Sequence, residues 1–158
     1  MVEFEVTVKA GDLYDYMLRH TYYSMAGILG NGVGAVMVVF GATKGQWLFV
    51  ILGMVLLLYL PYTLFIKSRQ QALANPAFSL PLHYLLNEEG ITVSQGEETQ
   101  MQKWEDMYKA VSTNKSIIVY TSKVNACIFP KRDLGDKTMH VIQMISTHME
   151  PSKVKIKQ

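Results

Sequence analysis

Polar side chains almost disappear from the chain between residues 21 and 66, where Lys44 is the only charge separating two apolar runs, 22–43 and 45–66. Each run reaches the roughly 20 residues that an α-helix needs to cross about 30 Å of hydrocarbon. In lipid every backbone N–H and C=O must be satisfied within the segment, so even the β-favouring stretches 37–40 and 50–52 are expected to be helical. The pattern predicts a membrane-spanning helical hairpin turning at residues 42–46, with both chain ends on one side.

The flanking segments follow other periods. Residues 2–8 alternate Val2, Phe4, Val6 and Val8 with Glu3, Glu5 and Thr7, the period-two signature of a half-buried strand. A lone strand is unstable, so this one must pair with another on the same side of the membrane. Asp12 is placed to cap a helix in which Leu13, Tyr16, Met17 and His20 recur at helical spacing. That helix reads as an interfacial lead-in continuing into the first span, with Tyr14, Tyr16, Tyr22 and Tyr23 suited to the headgroup layer. Residues 67–76 continue the second span as a helical connector ending at Asn75-Pro76. Beyond it lie about six short strands, 82–87, 91–94, 100–104, 108–112, 116–121 and 125–130, punctuated by turn residues. Residues 133–137 read as a charged, glycine-containing loop from which Asp136 caps a last helix with the apolar stripe Val141, Ile142, Ile145 and Met149. Residues 152–158 read as a tail.

The expected fold is thus an α+β membrane protein. A transmembrane hairpin carries a PH-like antiparallel barrel or sandwich that is capped by the C-terminal helix and joined by the N-terminal strand. The units are residues 1–20 (strand and interfacial helix), 21–66 (hairpin), 67–76 (connector) and 77–158 (PH-like domain).

Within the first span Gly27, Gly30, Gly34 and Gly41 line one seam, a groove that lets a partner backbone approach closely. The partner is the second span, through Leu52, Leu56, Leu57, Tyr59 and Leu60, or the same face of a second copy in a homo-oligomer. Arg19 before the first span and Lys67 and Arg69 after the second outweigh Lys44 in the loop, so the positive-inside bias places both termini in the cytoplasm. The opening residues lack the basic and apolar regions of a cleavable signal, and the first span is expected to serve as its own insertion signal.

Composition narrows the chemistry. A net charge of +2 over 158 residues gives no basic surface of the kind that nucleic acid requires. The single Cys127, set among Ala126, Ile128 and Phe129, reads as a buried structural thiol. The four histidines come from separate regions, and no nucleophile elbow or intramembrane carboxylate pair is visible, so no metal, cofactor or enzymatic activity is expected. The most suggestive polar cluster is Lys131 and Arg132 together with Lys153, Lys155 and Lys157. Near an inner leaflet each such charge contributes about 1 kcal/mol of attraction to anionic headgroups; the competing reading is plain solubility charge.

The order of features, with Leu60-Pro61-Tyr62 at the membrane exit, residues 84–91 (YLLNEEGI), residues 104–109 (WEDMYK) and residues 128–132 (IFPKR), resembles the YcxB-like family of small bacterial membrane proteins. The resemblance implies a PH-like cytoplasmic domain on a two-helix anchor in the bacterial plasma membrane, and brings no established activity or catalytic residue. The function expected is that of a non-enzymatic adaptor or regulator binding a protein partner or anionic lipid at the inner leaflet. The alternative, suggested by related PH-like membrane proteins, is tolerance of a membrane-active peptide.

Overall fold

A computed structural model describes residues 1–156; Lys157 lies outside them. The chain begins with β1 (Val2–Val6), α1 (Ala10–Tyr22), α2 (Met25–Lys44) and α3 (Trp47–Ala74), and then forms β2 (Leu82–Leu86), β3 (Gly90–Gln95) and β4 (Glu98–Lys103). Next come β5 (Lys109–Ser112), β6 (Ser116–Tyr120), β7 (Ala126–Pro130), α4 (Lys131–Leu134), α5 (Thr138–His148) and the short β8 (Val154–Lys155).

The alternating N-terminal segment pairs where its apolar face demands. β1 runs antiparallel to β2, with Phe4 opposite Tyr84 and Val6 opposite Leu82, and forms the edge of a sheet ordered β1-β2-β3-β4. The second sheet is ordered β7-β6-β5-β8, with β8 parallel to β5. The two sheets share one core but do not close into the barrel that was one of the expected forms. Phe4 stacks on Tyr84, and both rings meet Phe129 of the opposite sheet edge-on, at centroid distances of 5.2 and 4.8 Å. Val141, Ile142 and Ile145 of α5, with Met149 just past its end, complete this core. Burial of Phe4 and Val6 contributes about 1.5–3 kcal/mol each.

Every residue of β6 is buried, because its sheet is covered on both faces. One face meets the core just described. On the other, Val111, Ile118 and Tyr120 pack under Tyr16 of α1. The helix expected to lie in the headgroup layer is therefore bound to the β domain, and it does not run on into the next helix. Ser24 caps α2 by accepting from the Gly27 N–H, while its own hydroxyl donates to the Thr21 carbonyl, which breaks the chain between α1 and α2. Asp12 is also displaced from its expected place: Lys9 precedes α1, and Asp12, three residues on, accepts from the Lys9 N–H at 2.8 Å.

Helices α2 and α3 are long and apolar enough to cross a membrane, and Ile28, Leu29, Val36, Ile51, Val55 and Leu58 point outward, exposed. They are joined at Gly45, whose φ of 68° closes α2 in a left-handed cap. Three of the four seam glycines are buried, Gly27, Gly34 and Gly41. Gly34 faces Leu57 and the Gly53 backbone, and Gly41 faces Val50 and the Gln46 carbonyl. Gly27 instead abuts the end of α1 at Thr21, and Gly30 faces open space, outside the seam. On α3 the close approach centres on Gly53, against the Gly34 carbonyl and Val38; of the expected large residues Leu57 fills the groove, while Leu52, Leu56 and Tyr59 are exposed. Pro61 sits inside α3, which continues unbroken to Ala74.

Two further expectations are corrected. Residues 133–137 are not an open loop but the end of α4 followed by a tight 3-10 turn, so α5 starts from Lys137 and Asp136 makes no capping bond. Residues 151–155 form a 3-10 turn and β8, so this part of the expected tail is held against β5.

Cys127 on β7 is half-buried, less enclosed than its apolar sequence setting suggests, and its thiol hydrogen-bonds with Tyr84. Burial raises the thiol pKa from its usual 9.0 to about 11, a rise partly opposed by the hydrogen bond with Tyr84. A raised thiol pKa favours the neutral form in the folded state, so its stabilising contribution is present below pH 9 and lost between about pH 9 and 11. At pH 8 a thiol alkylator should leave Cys127 unmodified in the native protein and react rapidly once denaturant is added; equal rates would show that the thiol is accessible.

Candidate functional site

The junction between the paired apolar helices and the β domain holds an open cleft of about 940 Å³. One wall is α1. Its helical repeat brings Tyr14, Leu18 and Tyr22 to the cleft together with Asp15 and Arg19, and Tyr23 follows at the end of the helix. Pro61 of α3 adds to the rim on the side of the apolar helices. The opposite wall is the turn between β5 and β6 (Ser112, Thr113, Asn114, Lys115), with Lys131 from the start of α4 and Lys155 from β8.

Local hydrogen bonds fix this wall. The Thr113 hydroxyl donates to Asp15 Oδ2 at 2.5 Å and accepts from the backbone N–H groups of Lys115 and Ser116, shaping the turn and joining it to α1. Lys131 Nζ donates to the Thr113 carbonyl at 2.8 Å, and the Lys131 N–H donates to the Lys115 carbonyl, also at 2.8 Å. Lys155 is held at the cleft by pairing of β8 with β5, opposite Val111. The Arg19 guanidinium lies 5.1 Å from the centre of the Tyr23 ring.

The charge is unbalanced. Arg19, Lys115, Lys131 and Lys155 face one carboxylate, Asp15, a surplus of three positive charges (four minus one). Among the described residues none of the four cations forms an ion pair. The field reaches Lys109 beside the cleft, whose pKa is lowered first by desolvation and then by Arg19 and Lys155. Its ammonium rests over the Tyr120 ring, 4.5 Å from the centroid.

Of the basic residues singled out in the sequence, Lys131 and Lys155 come together here. Arg132 does not: it is a tie, donating to both Asp12 oxygens at 2.7 and 2.8 Å and to the Thr7 carbonyl at 2.8 Å. Lys153 Nζ donates to the Glu105 carbonyl at 3.4 Å. Sequence reasoning missed Arg19 and Lys115 as site residues, reading the first as a topology charge and leaving the second in the turn between the strands expected at 108–112 and 116–121. The signal that was available is Arg19 between Tyr22 and Tyr14 on one helix face. The histidines are dispersed: His20 stacks between Tyr16 and Tyr120, His83 pairs with Glu3 at 2.8 Å, and His148 stacks on Trp104.

Fold and site together define a two-sheet α+β domain coupled to a pair of long apolar helices through a basic cleft. Residues 86–139 match the family model of the YcxB-like protein, the family that the sequence resembles. The matched span carries Lys115 and Lys131 from one wall of the cleft, while Arg19 and Lys155 lie on either side of it. No curated protein and no solved structure matches the chain.

Proposed function

We propose that this protein is a membrane-anchored, non-enzymatic adaptor of the bacterial plasma membrane. Helices α2 and α3 span the bilayer, both termini are cytoplasmic, and a PH-like domain acts by binding an anionic lipid or a membrane-protein partner at the inner leaflet. The observation that carries this reading is the placement of a carboxylate-poor basic cleft where two outwardly apolar helices meet the β domain. Arg19, Lys67 and Arg69 at that end, against Lys44 at the hairpin turn, support the orientation. The packing of α1 on both the β domain and α3, through Tyr16 with Tyr120 and Tyr14 with Phe65, supports a domain held at a fixed attitude to the spans instead of on a loose tether.

Two measurements test it. With Cys127→Ser as background, a membrane-impermeant thiol reagent on intact cells should label Lys44→Cys and spare Ser152→Cys; the reverse overturns the orientation. A photo-crosslinking residue at the exposed Asn114 should form adducts with lipid or with a discrete membrane protein in cells. Release of the protein by alkaline carbonate, or the absence of any such adduct, overturns the adaptor reading.

A further inference from the structure

Three features carry chemistry without an assigned role: a pocket of about 430 Å³ between Glu3, His83 and Lys137, the exposed edge of β4, and the basic cleft. In the first, Glu3 pairs with His83, Asp133 with Arg132, and Lys137 bonds the Glu3 carbonyl, so its cation and its histidine are already engaged. The second shows nothing of what would cover it. In the cleft Lys131 is held by a backbone carbonyl, but among the described residues none of the four cations has a carboxylate partner, and the surroundings identify the ligand.

We propose that the cleft is a binding site for one phosphate-bearing headgroup of an anionic phospholipid from the adjacent leaflet, gripped by Arg19, Lys115, Lys131 and Lys155. This deepens the membrane-anchored reading and rests on it. Four cations without a carboxylate partner repel one another, and an anion that enters among them removes that cost. Lysine and arginine donate only, and phosphate oxygens accept only, so the match is one of hydrogen-bond type as well as charge. The donors are aimed beforehand: Lys131 is fixed on the Thr113 carbonyl and Arg19 lies over Tyr23, so little side-chain freedom is lost on binding. A cleft of about 940 Å³ lies within the roughly 300–1,000 Å³ of small-molecule sites. Its rim separates two chemistries. On the side of α2 and α3 stand Tyr22, Tyr23 and Pro61, next to helices whose outer surfaces are apolar, where acyl chains would run. On the domain side stand the lysines. A free phosphate has use for the lysines alone; a phospholipid uses both halves.

The test uses the full chain, purified in mild detergent, with native mass spectrometry counting retained phosphatidylglycerol against phosphatidylcholine. The wild-type protein should keep one phosphatidylglycerol in preference. Lys115→Gln combined with Lys155→Gln, two exposed positions whose side chains carry no hydrogen bond to the described residues, should weaken retention by about tenfold or more. The Lys115→Arg, Lys155→Arg variant should keep it, which separates lost charge from lost fold. Retention unchanged by the glutamines, or equal retention of the two lipids by wild type, overturns the site. Displacement of the lipid by millimolar glycerol phosphate or inorganic phosphate overturns the lipid as source and assigns the site to a free phosphate. Carbonate extraction of the same variants keeps the two ideas apart. A protein that stays in the membrane fraction but shows no lipid preference removes this inference alone, whereas one that is released removes the anchored reading with it.

Discussion

Replacing Arg132 with alanine should destabilise the folded protein by about 2–4 kcal/mol, one of the two largest losses expected of any single change in the β domain. The reason lies in the partner. The Asp12 side chain is only 3% exposed and receives both guanidinium nitrogens, while Arg132 is 42% exposed and closes the bond from the solvent side. Without it a carboxylate remains buried with the Lys9 N–H as its remaining hydrogen-bond donor. Arg132 also holds the Thr7 carbonyl and pairs with Asp133, so one side chain ties the end of β1, the first turn of α1 and α4 together. Denaturant unfolding in detergent provides the measurement. Asp12→Asn combined with Arg132→Ala should cost clearly less than the two single losses added, because removing the charge removes the penalty of burying it unpaired. Strict additivity would show that the pair does not act as a unit.

Phe4→Asp should cost more than about 4 kcal/mol and leave the β domain open to protease, since it places a charge between Tyr84 and Phe129 in the shared core. A chain shortened to start at Ala77 should be similarly weakened, because β2 would lose its partner along the whole register from Val2–Leu86 to Val6–Leu82. Protease resistance of the shortened chain equal to that of the β domain in the full protein would show that β1 is dispensable.

Much of this was legible because the relevant signals are periodic. Val2, Phe4, Val6 and Val8 declare a strand needing a partner, and Val141, Ile142, Ile145 and Met149 declare a helix face, and both enter the core. What sequence reading missed depends on contacts between distant segments. Asp12 looks like a cap because its side chain is short and acidic; its partner Arg132 is 120 positions away, and no local pattern announces it. α4 is a single turn whose charges suggested a loop, but Leu134 is buried and Arg132 is anchored. A glycine seam is visible on α2, whereas Gly53 stands alone on α3 and gains meaning only from facing Gly34 and Val38. β8 is two residues long, below any periodic signal, yet it delivers Lys155 to the cleft. The cleft itself draws on α1, α3, the β5–β6 turn, α4 and β8, so its members are scattered from Tyr14 to Lys155.

The pairing of β1 with β2 also sets an order of events during synthesis. Leu82 follows its partner Val6 by 76 positions, and both long apolar helices are encoded between them, so the first sheet cannot form until α2 and α3 have left the ribosome. At about 5–20 residues per second the N-terminal strand waits on the order of 4–15 s for its partner. Closing so long a loop is slow compared with forming either helix. Completion of the β domain then reports that both long apolar helices have already been synthesised. Until β2 emerges, β1 remains an unpaired strand with an apolar face, the kind of surface that quality-control proteases and chaperones recognise.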